Sequence, residues 1–339
     1  MRVILLGGAG YLGSALVPQL LKRNYEVIVY DLLWFGNNLP KEATVYKKNI
    51  LDLVSDDLSN ADAVVFIAGV SNDPMAEYSP AINFMGNAAA PAYAAYLTKK
   101  RGIKRFVYAS SCSIYGYTAG EAMTEEASVN PSFPYGISKL QGESAVMMME
   151  DKSFKPISLR KGTIYGWSPR MRYDLVVNTM LKCALTDHKI TVHNPGLWRP
   201  LISTSDAARA YIRAIEADPS ISGIYNISYD NYTIGRLADE VCAELRTHNI
   251  NNIDLDIQNR HDFRNYKVSH EKARIELDFV PEVSPRDAVK EVLKKILDEA
   301  PAQISNTKFA TKKINYNNRE WFKYLNDSKY YNIEVFKEL

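Results

Sequence analysis

The opening of the chain constrains its fold most. "RVILL" is a short apolar run closed by glycines, and "GGAGYLGSALVPQLLKRNYEVIVYD" follows it. In this stretch Gly7, Gly10 and Gly13 stand three apart, and Leu12, Leu16, Leu20 and Leu21 recur at helical spacing. A second apolar run, "EVIVYD", then ends in Asp31. Continuous apolar runs of this length fit parallel strands buried on both faces. After such a strand the first glycine permits a tight turn, the second lets a pyrophosphate approach the backbone, and the third packs helix against strand. The helix N-terminus then offers its free N–H groups to the phosphates. Glycine turns after strands are common, so three glycines alone say little. Strand, glycines, helix, strand and acid in this order predict a dinucleotide site. A carboxylate at Asp31 accepts hydrogen bonds from the adenosine ribose hydroxyls and repels the extra phosphate of NADP, so the expected cofactor is NAD.

The alternation continues. "AVVFIAG" and "RFVYASS" read as further buried strands, separated by the alanine-rich, helix-like "NAAAPAYAAYLTKK". This pattern predicts an α/β fold with a Rossmann-type, doubly wound parallel sheet. Ligands of such sheets lie beyond the strand C-terminal ends, where Ala68, Gly69 and Ser111 fall. Cofactor and serine should therefore share a cleft. With 339 residues the chain has room for an NAD-binding domain over 1–165 and a smaller, mixed α/β substrate-binding portion over 166–300, some of whose segments return to the first domain. Residues 301–339 form a polar and aromatic extension with no assigned role.

Composition excludes several classes of partner. The formal net charge is +2 and no dense Lys/Arg block is present, so nucleic acid is not expected. Three cysteines without a CxxC pair make neither a disulfide framework nor a zinc site and suit a reducing cytoplasm. His188, His193, His248, His261 and His270 show no HxH or HExxH spacing, so no metal is expected. No run of about 18 apolar residues offers a membrane span.

Beyond Ser111 comes "PYGISK", with Tyr135 and Lys139 at i and i+4 on a helix expected to begin after Pro134. Both side chains would project from one helix face. A tyrosine with a pKa of about 10 is a poor base at neutral pH. A neighbouring ammonium and a nicotinamide cation would lower that value and let a phenolate take an alcohol proton while hydride leaves the same carbon. Ser111 would hold the substrate oxygen. In isolation such a pair reads first as a surface helix contact; following a nucleotide-binding half and a strand-end serine it predicts a catalytic group.

Taken together, Gly7, Gly10, Gly13, Asp31, "VYASSCSIYG" and Tyr135 with Lys139 resemble the extended short-chain dehydrogenase/reductase family, and in particular its NAD-dependent nucleotide-sugar epimerase/dehydratase branch, from residue 1 to about 300. The resemblance implies that Ser111, Tyr135 and Lys139 form the catalytic triad. It also implies that Tyr11 and Leu12 belong to the coenzyme loop, and that Tyr135 and Lys139 touch the coenzyme as well. Asp52 and Leu53 would lie near the adenine, and Asn87 would hold the family's central-helix position, structural and proton-relaying. In the family's 4,6-dehydratases the two residues after the catalytic Ser/Thr are Asp and Glu, whereas this chain has Cys112 and Ser113. That departure disfavours dehydration and leaves chemistry by hydride and one proton, such as C4 epimerisation through a 4-keto sugar. A net dehydrogenase or 4-ketoreductase would use the same three residues. The family's 3,5-epimerases carry a cysteine base near this point, one position further on, so Cys112 is either such a base or a small buried residue. A protein that only senses NAD is the non-enzymatic alternative, and the intact triad argues against it.

By the same resemblance, substrate contacts fall on Cys112, Ser113, Thr163, Arg172, Asn178, Arg199 and Arg264, and Asp206 orients backbone. Thr163 stands where many relatives carry asparagine. Arginine forks suit diphosphate oxygens. Each arginine alone could be a surface ion pair; together they imply a nucleotide-diphosphate sugar. The resemblance also implies a homodimer paired through the Tyr135 helix and the alanine-rich helix.

Overall fold

The structure, a computed structural model, describes residues 1–259 and 264–299. His261 and the extension over 301–339 lie outside the described residues. At the centre is a seven-stranded sheet in which every neighbouring pair is parallel. Its strands are β1 (Arg2–Leu6), β2 (Glu26–Asp31), β3 (Thr44–Lys47), β4 (Ala63–Phe66), β5 (Arg105–Ser111), β6 (Lys155–Lys161) and β7 (Gly223–Ile227), in the spatial order β7-β6-β5-β4-β1-β2-β3. The longer helices are α1 (Gly13–Lys22), α2 (Ala90–Lys100), α3 (Pro134–Met147), α4 (Val176–Asp187), α5 (Thr204–Glu216), α6 (Ile234–Thr247) and α7 (Pro285–Glu299).

Both faces of the sheet are covered, which is why β1 reads as an unbroken apolar run. Successive strand residues point to opposite faces. Val3 and Leu5 pack with Leu16, Val17 and Leu20 of α1 and with Ala207, Ala210 and Ala214 of α5. Ile4 and Leu6 pack on the other side with Ala94, Ala95 and Leu97 of α2 and Val146 of α3. The chain runs outward from β1 to β3, then returns to β4 and continues the other way. That reversal opens the crevice between β1 and β4 where open α/β sheets bind ligands.

A second core joins Leu181 of α4, Leu237, Val241 and Leu245 of α6, and Val289 and Val292 of α7. It packs beside a three-stranded sheet built from Thr163–Tyr165, Trp198–Ser203 and Asp230–Thr233. Two pieces of this half, α5 and β7, belong instead to the large sheet. Just before α2 the helix widens into a π-turn over Met85–Ala89, a feature frequent at functional sites.

Candidate active site

A cavity of about 860 Å³ lies at the C-terminal ends of the strands, between the large sheet and the second half. Its volume falls in the range of ligand pockets. At one end the glycine turn forms its floor. Gly7 has φ +90°, and a Cβ there would stand 2.4 Å from Ala68 Cα, so no other residue fits. A Cβ on Gly13 would meet the Gly8 carbonyl oxygen at 2.2 Å, so this glycine lets the start of α1 close against the turn that follows β1. Gly10 is different: its nearest neighbour to a Cβ is Gly7 O at 3.6 Å, so it leaves space on the cavity wall. No side chain caps the N-terminus of α1. This cradle fits a pyrophosphate.

Asp31 ends β2 on the cavity wall. Its Oδ2 accepts from Ala9 N at 2.9 Å and its Oδ1 from Leu33 N at 2.8 Å, so it ties the glycine turn to the next loop. Burial raises its carboxyl above the usual range, against the two N–H donors and the charge of Arg170. Arg170 reaches this end from the second half, its guanidinium carbon 3.7 Å from the Phe35 ring centroid. Lys48 also lines this end, its N–H bound to the Asp31 carbonyl at 3.1 Å, and the Asp31 carboxylate is the feature of this wall that suits the ribose hydroxyls of NAD.

Asp52 and Leu53, expected near an adenine, do not line the cavity. Asn49 caps a short turn over Ile50–Asp52, accepting from Leu51 N at 3.1 Å. The turn presents Ile50 and Leu51 to the cavity, leaves Asp52 exposed and sends Leu53 into the core.

The catalytic candidates meet at the ends of β5 and α3. Ser111, Ser113, Tyr135 and Lys139 all line the cavity. Ser111 Oγ accepts from Ser113 N at 3.2 Å and from Ser113 Oγ at 3.0 Å, which leaves its own hydrogen for the bond it shares with the Tyr135 hydroxyl. Lys139 Nζ donates to Ala109 O at 3.0 Å and lies 6.0 Å from the Tyr135 ring centroid. Burial pushes the Tyr135 hydroxyl up to about 12, while Ser111 and the charge of Arg172 pull it down. Burial, with the like charge of Lys161 added, drives the Lys139 ammonium well below its ordinary value.

Asn87 sits behind this group rather than on the cavity wall. Its Nδ2 donates to Val70 O at 2.7 Å and Asn83 Oδ1 at 2.8 Å. The π-turn frees the Asn87 carbonyl, which accepts from Tyr108 Oη at 3.0 Å. Cys112 is 1% exposed and off the wall, its thiol donating to Arg160 O at 3.1 Å. Burial pushes that thiol far above its ordinary value. A thiol so placed is neither a thiolate base nor a substrate contact; of the readings of Cys112, the small buried residue is the one that fits.

At the other end stand Thr163, Arg172, Arg199 and Arg264. Arg172 is bidentate on Asp174, Nε to Oδ1 at 3.0 Å and Nη2 to Oδ2 at 2.5 Å, and donates to Ser71 Oγ at 2.8 Å. Arg264 pairs with Asp73 at 2.7 Å, and Arg199 donates to the Arg264 carbonyl. Asn178 corrects the expectation of a substrate contact. It is buried away from the cavity, its Nδ2 on Tyr11 Oη and Arg172 O and its Oδ1 on Gly166 N. Tyr11 lines the cavity but turns its hydroxyl inward, donating to Gly166 O at 2.6 Å and accepting from Thr204 Oγ1 at 3.0 Å. Asp206 accepts from Glu282 N and Val283 N, a backbone role. Arg170, offered by "WSPRMRYDLVVN" as a candidate contact, is on the wall, whereas sequence reasoning missed Lys161; the charge that ends the strand in "ISLRKG" was the available signal.

The model of the NAD-dependent epimerase/dehydratase family matches residues 3–228. An uncharacterized UDP-glucose epimerase, YtcB, of Bacillus subtilis (strain 168) is 31% identical over 244 residues, covering 66% of this chain and 75% of that one. A UDP-glucose 4-epimerase of Lactobacillus helveticus is 32% identical over 176 residues, 50% of this chain and 53% of that enzyme. Among solved structures, MoeE5 in complex with UDP-glucose and NAD has the same fold, with a TM-score of 0.78 at 20% identity over 88% of this chain and 99% of that one. With a match over most of its length and a cleft that fits the coenzyme, the chain belongs to the NAD-dependent epimerase/dehydratase family of extended short-chain dehydrogenase/reductase enzymes.

Proposed function

We propose that the protein inverts C4 of a nucleotide-diphosphate sugar through a transient 4-keto sugar. One observation carries this reading: among the described residues the acids lining the cavity are Asp31, Asp73 and Asp174, and each is engaged by another partner rather than forming an acid/base pair with Ser111 and Tyr135 for dehydration. Asp31 holds the glycine turn, while Asp73 and Asp174 pair with Arg264 and Arg172. The name of the Lactobacillus helveticus relative, a 4-epimerase, supports the same carbon.

NAD, held by the Gly7 to Gly13 turn and Asp31, would supply reversible hydride acceptance. The chain's own residues do the rest. Tyr135 takes the C4 hydroxyl proton, Ser111 donates to the same oxygen as it becomes a carbonyl, and Tyr135 returns the proton after the sugar has turned over. Arg199 and Arg264 would bind the diphosphate, leaving the sugar free to rotate within the cavity. We also propose a homodimer formed through α2 and α3.

Nucleotide sugars incubated with the protein in deuterated water test the reading. Inverted C4 without solvent deuterium and without net NADH is expected. Net NADH would mean a dehydrogenase, and deuterium at C3 or C5 a carbon-deprotonating epimerase. Tyr135→Phe should lower turnover by about 10³-fold with NAD binding retained; unchanged turnover would remove Tyr135 from the mechanism.

A further inference from the structure

The cavity wall holds a second lysine that the three-residue chemistry leaves unused. Lys161 ends β6 and pairs in register with Ser111 at the end of β5. Neighbouring strands stand roughly 4.8 Å apart, and paired residues point to the same face. Both side chains line the cavity. Lys161 Nζ makes one hydrogen bond among the described residues, to Ser110 O at 2.6 Å, leaving two of its three donors.

Among the described residues, the surrounding elements bring it no carboxylate partner. From α3 come Tyr135, Lys139 and Glu143, and Glu143 is bound by Arg160. The turn after β5 brings Cys112, whose thiol is the group that opposes the effect of burial on Lys161. β7 sets Ile227 opposite it and carries Tyr225. α5, packed on the same strand, brings Asp206, Arg209, Tyr211, Arg213 and Glu216, and Asp206 is bound by Arg209. Across the cavity Arg172 and Asp174 are paired with each other. Burial without a counter-charge pushes the Lys161 ammonium down to about 7.

A hydride acceptor must lie against the carbon whose oxygen Tyr135 and Ser111 hold, so its ring belongs at this end of the cavity. Oxidised nicotinamide is a cation, and reduction removes that charge. Resting on the reading that NAD and a sugar meet at Tyr135, we propose that Lys161 is a positioning residue for charge. Its ammonium disfavours the oxidised ring relative to the reduced one and so helps draw hydride from the sugar. By linkage, NAD binding then releases a proton from Lys161 and NADH binding does not. The ammonium form predominates below neutrality, so the preference for NADH is present at low pH and is lost as pH rises.

The test uses the full chain stripped of coenzyme, with dissociation constants for NAD and NADH measured by calorimetry from pH 6 to pH 9. The ratio Kd(NAD)/Kd(NADH) should fall by about tenfold over that range in the wild type. Lys161→Met should show the high-pH ratio throughout, and Lys161→Arg the low-pH ratio throughout. A pH-invariant wild-type ratio overturns the proposal whether or not either variant folds. So does a Lys161→Met protein that keeps the wild-type pH dependence, since the titrating group would then be another, such as Lys139. C4 inversion with a pH-invariant ratio overturns the role of Lys161 alone. The expected ratios in a protein that leaves every sugar nucleotide unchanged overturn the epimerase reading and support this one.

Discussion

Cys112 and Ser113 follow Ser111, yet they face opposite ways. Ser113 stays on the wall and donates to Ser111, so it fixes which way the Ser111 hydrogen points. Cys112 turns under the sheet end among Ile114, Tyr115, Tyr266 and Val268. Cys112→Ala should therefore keep specific activity within about twofold and cost about 1 kcal/mol of stability through lost packing. Activity assays and urea unfolding of the variant check this, and a hundredfold loss of activity would return the thiol to the chemistry. Sequence alone could place these two residues beside the serine but not choose their directions. The short helical turn Cys112–Tyr115 decides that, because it breaks the strand alternation from which orientation would have been read.

On α3, Tyr135, Lys139 and Glu143 follow one another at four-residue spacing. The first two form a working face; the third anchors it. Glu143 accepts from Arg160 and from Ser158 Oγ, both on β6, and all three residues are buried. Arg160 passes the link on to Tyr115 Oη at 2.7 Å. Glu143→Ala leaves the Arg160 guanidinium buried without its carboxylate, so a loss of about 3–5 kcal/mol is expected. Denaturant unfolding measures it, and a cost below about 1 kcal/mol would show that packing alone sets the α3 position. The helix, with Tyr135 and Lys139 on one face toward the cavity, was legible in "PYGISK", because period and proline position are local. The Glu143 anchor was not, because its partner lies on a strand whose neighbour in space only the sheet order reveals.

At the scale of the molecule, the doubly wound sheet and the cofactor end of the cleft were readable from Gly7 to Asp31, since their geometry is imposed by steric needs of the backbone. The second half was less legible. Asn178 looked like a substrate contact and is an internal clamp, and although segments were expected to return to the first domain, which ones do so, α5 and β7, was not readable. Long-range closure decides both. The proposed homodimer predicts a light-scattering mass of twice 38.3 kDa for the full chain. A mass of 38.3 kDa at micromolar concentration would leave the outer faces of α2 and α3 without that role.

One feature ties the two halves together at a single atom. The Tyr11 hydroxyl belongs to the glycine turn, yet it meets Gly166 O, Asn178 Nδ2 and Thr204 Oγ1 from the second half, and Ser168 Oγ bonds its backbone carbonyl. The glycine turn that fits the coenzyme is thus stitched to the second half. A coenzyme leaving this cradle would have to strain those bonds, so departure should be slow against turnover. Slow departure suits a cofactor that ends each cycle in the state in which it began. Such an enzyme would act as a sealed redox cell, reversing its own oxidation without drawing on the soluble nicotinamide pool.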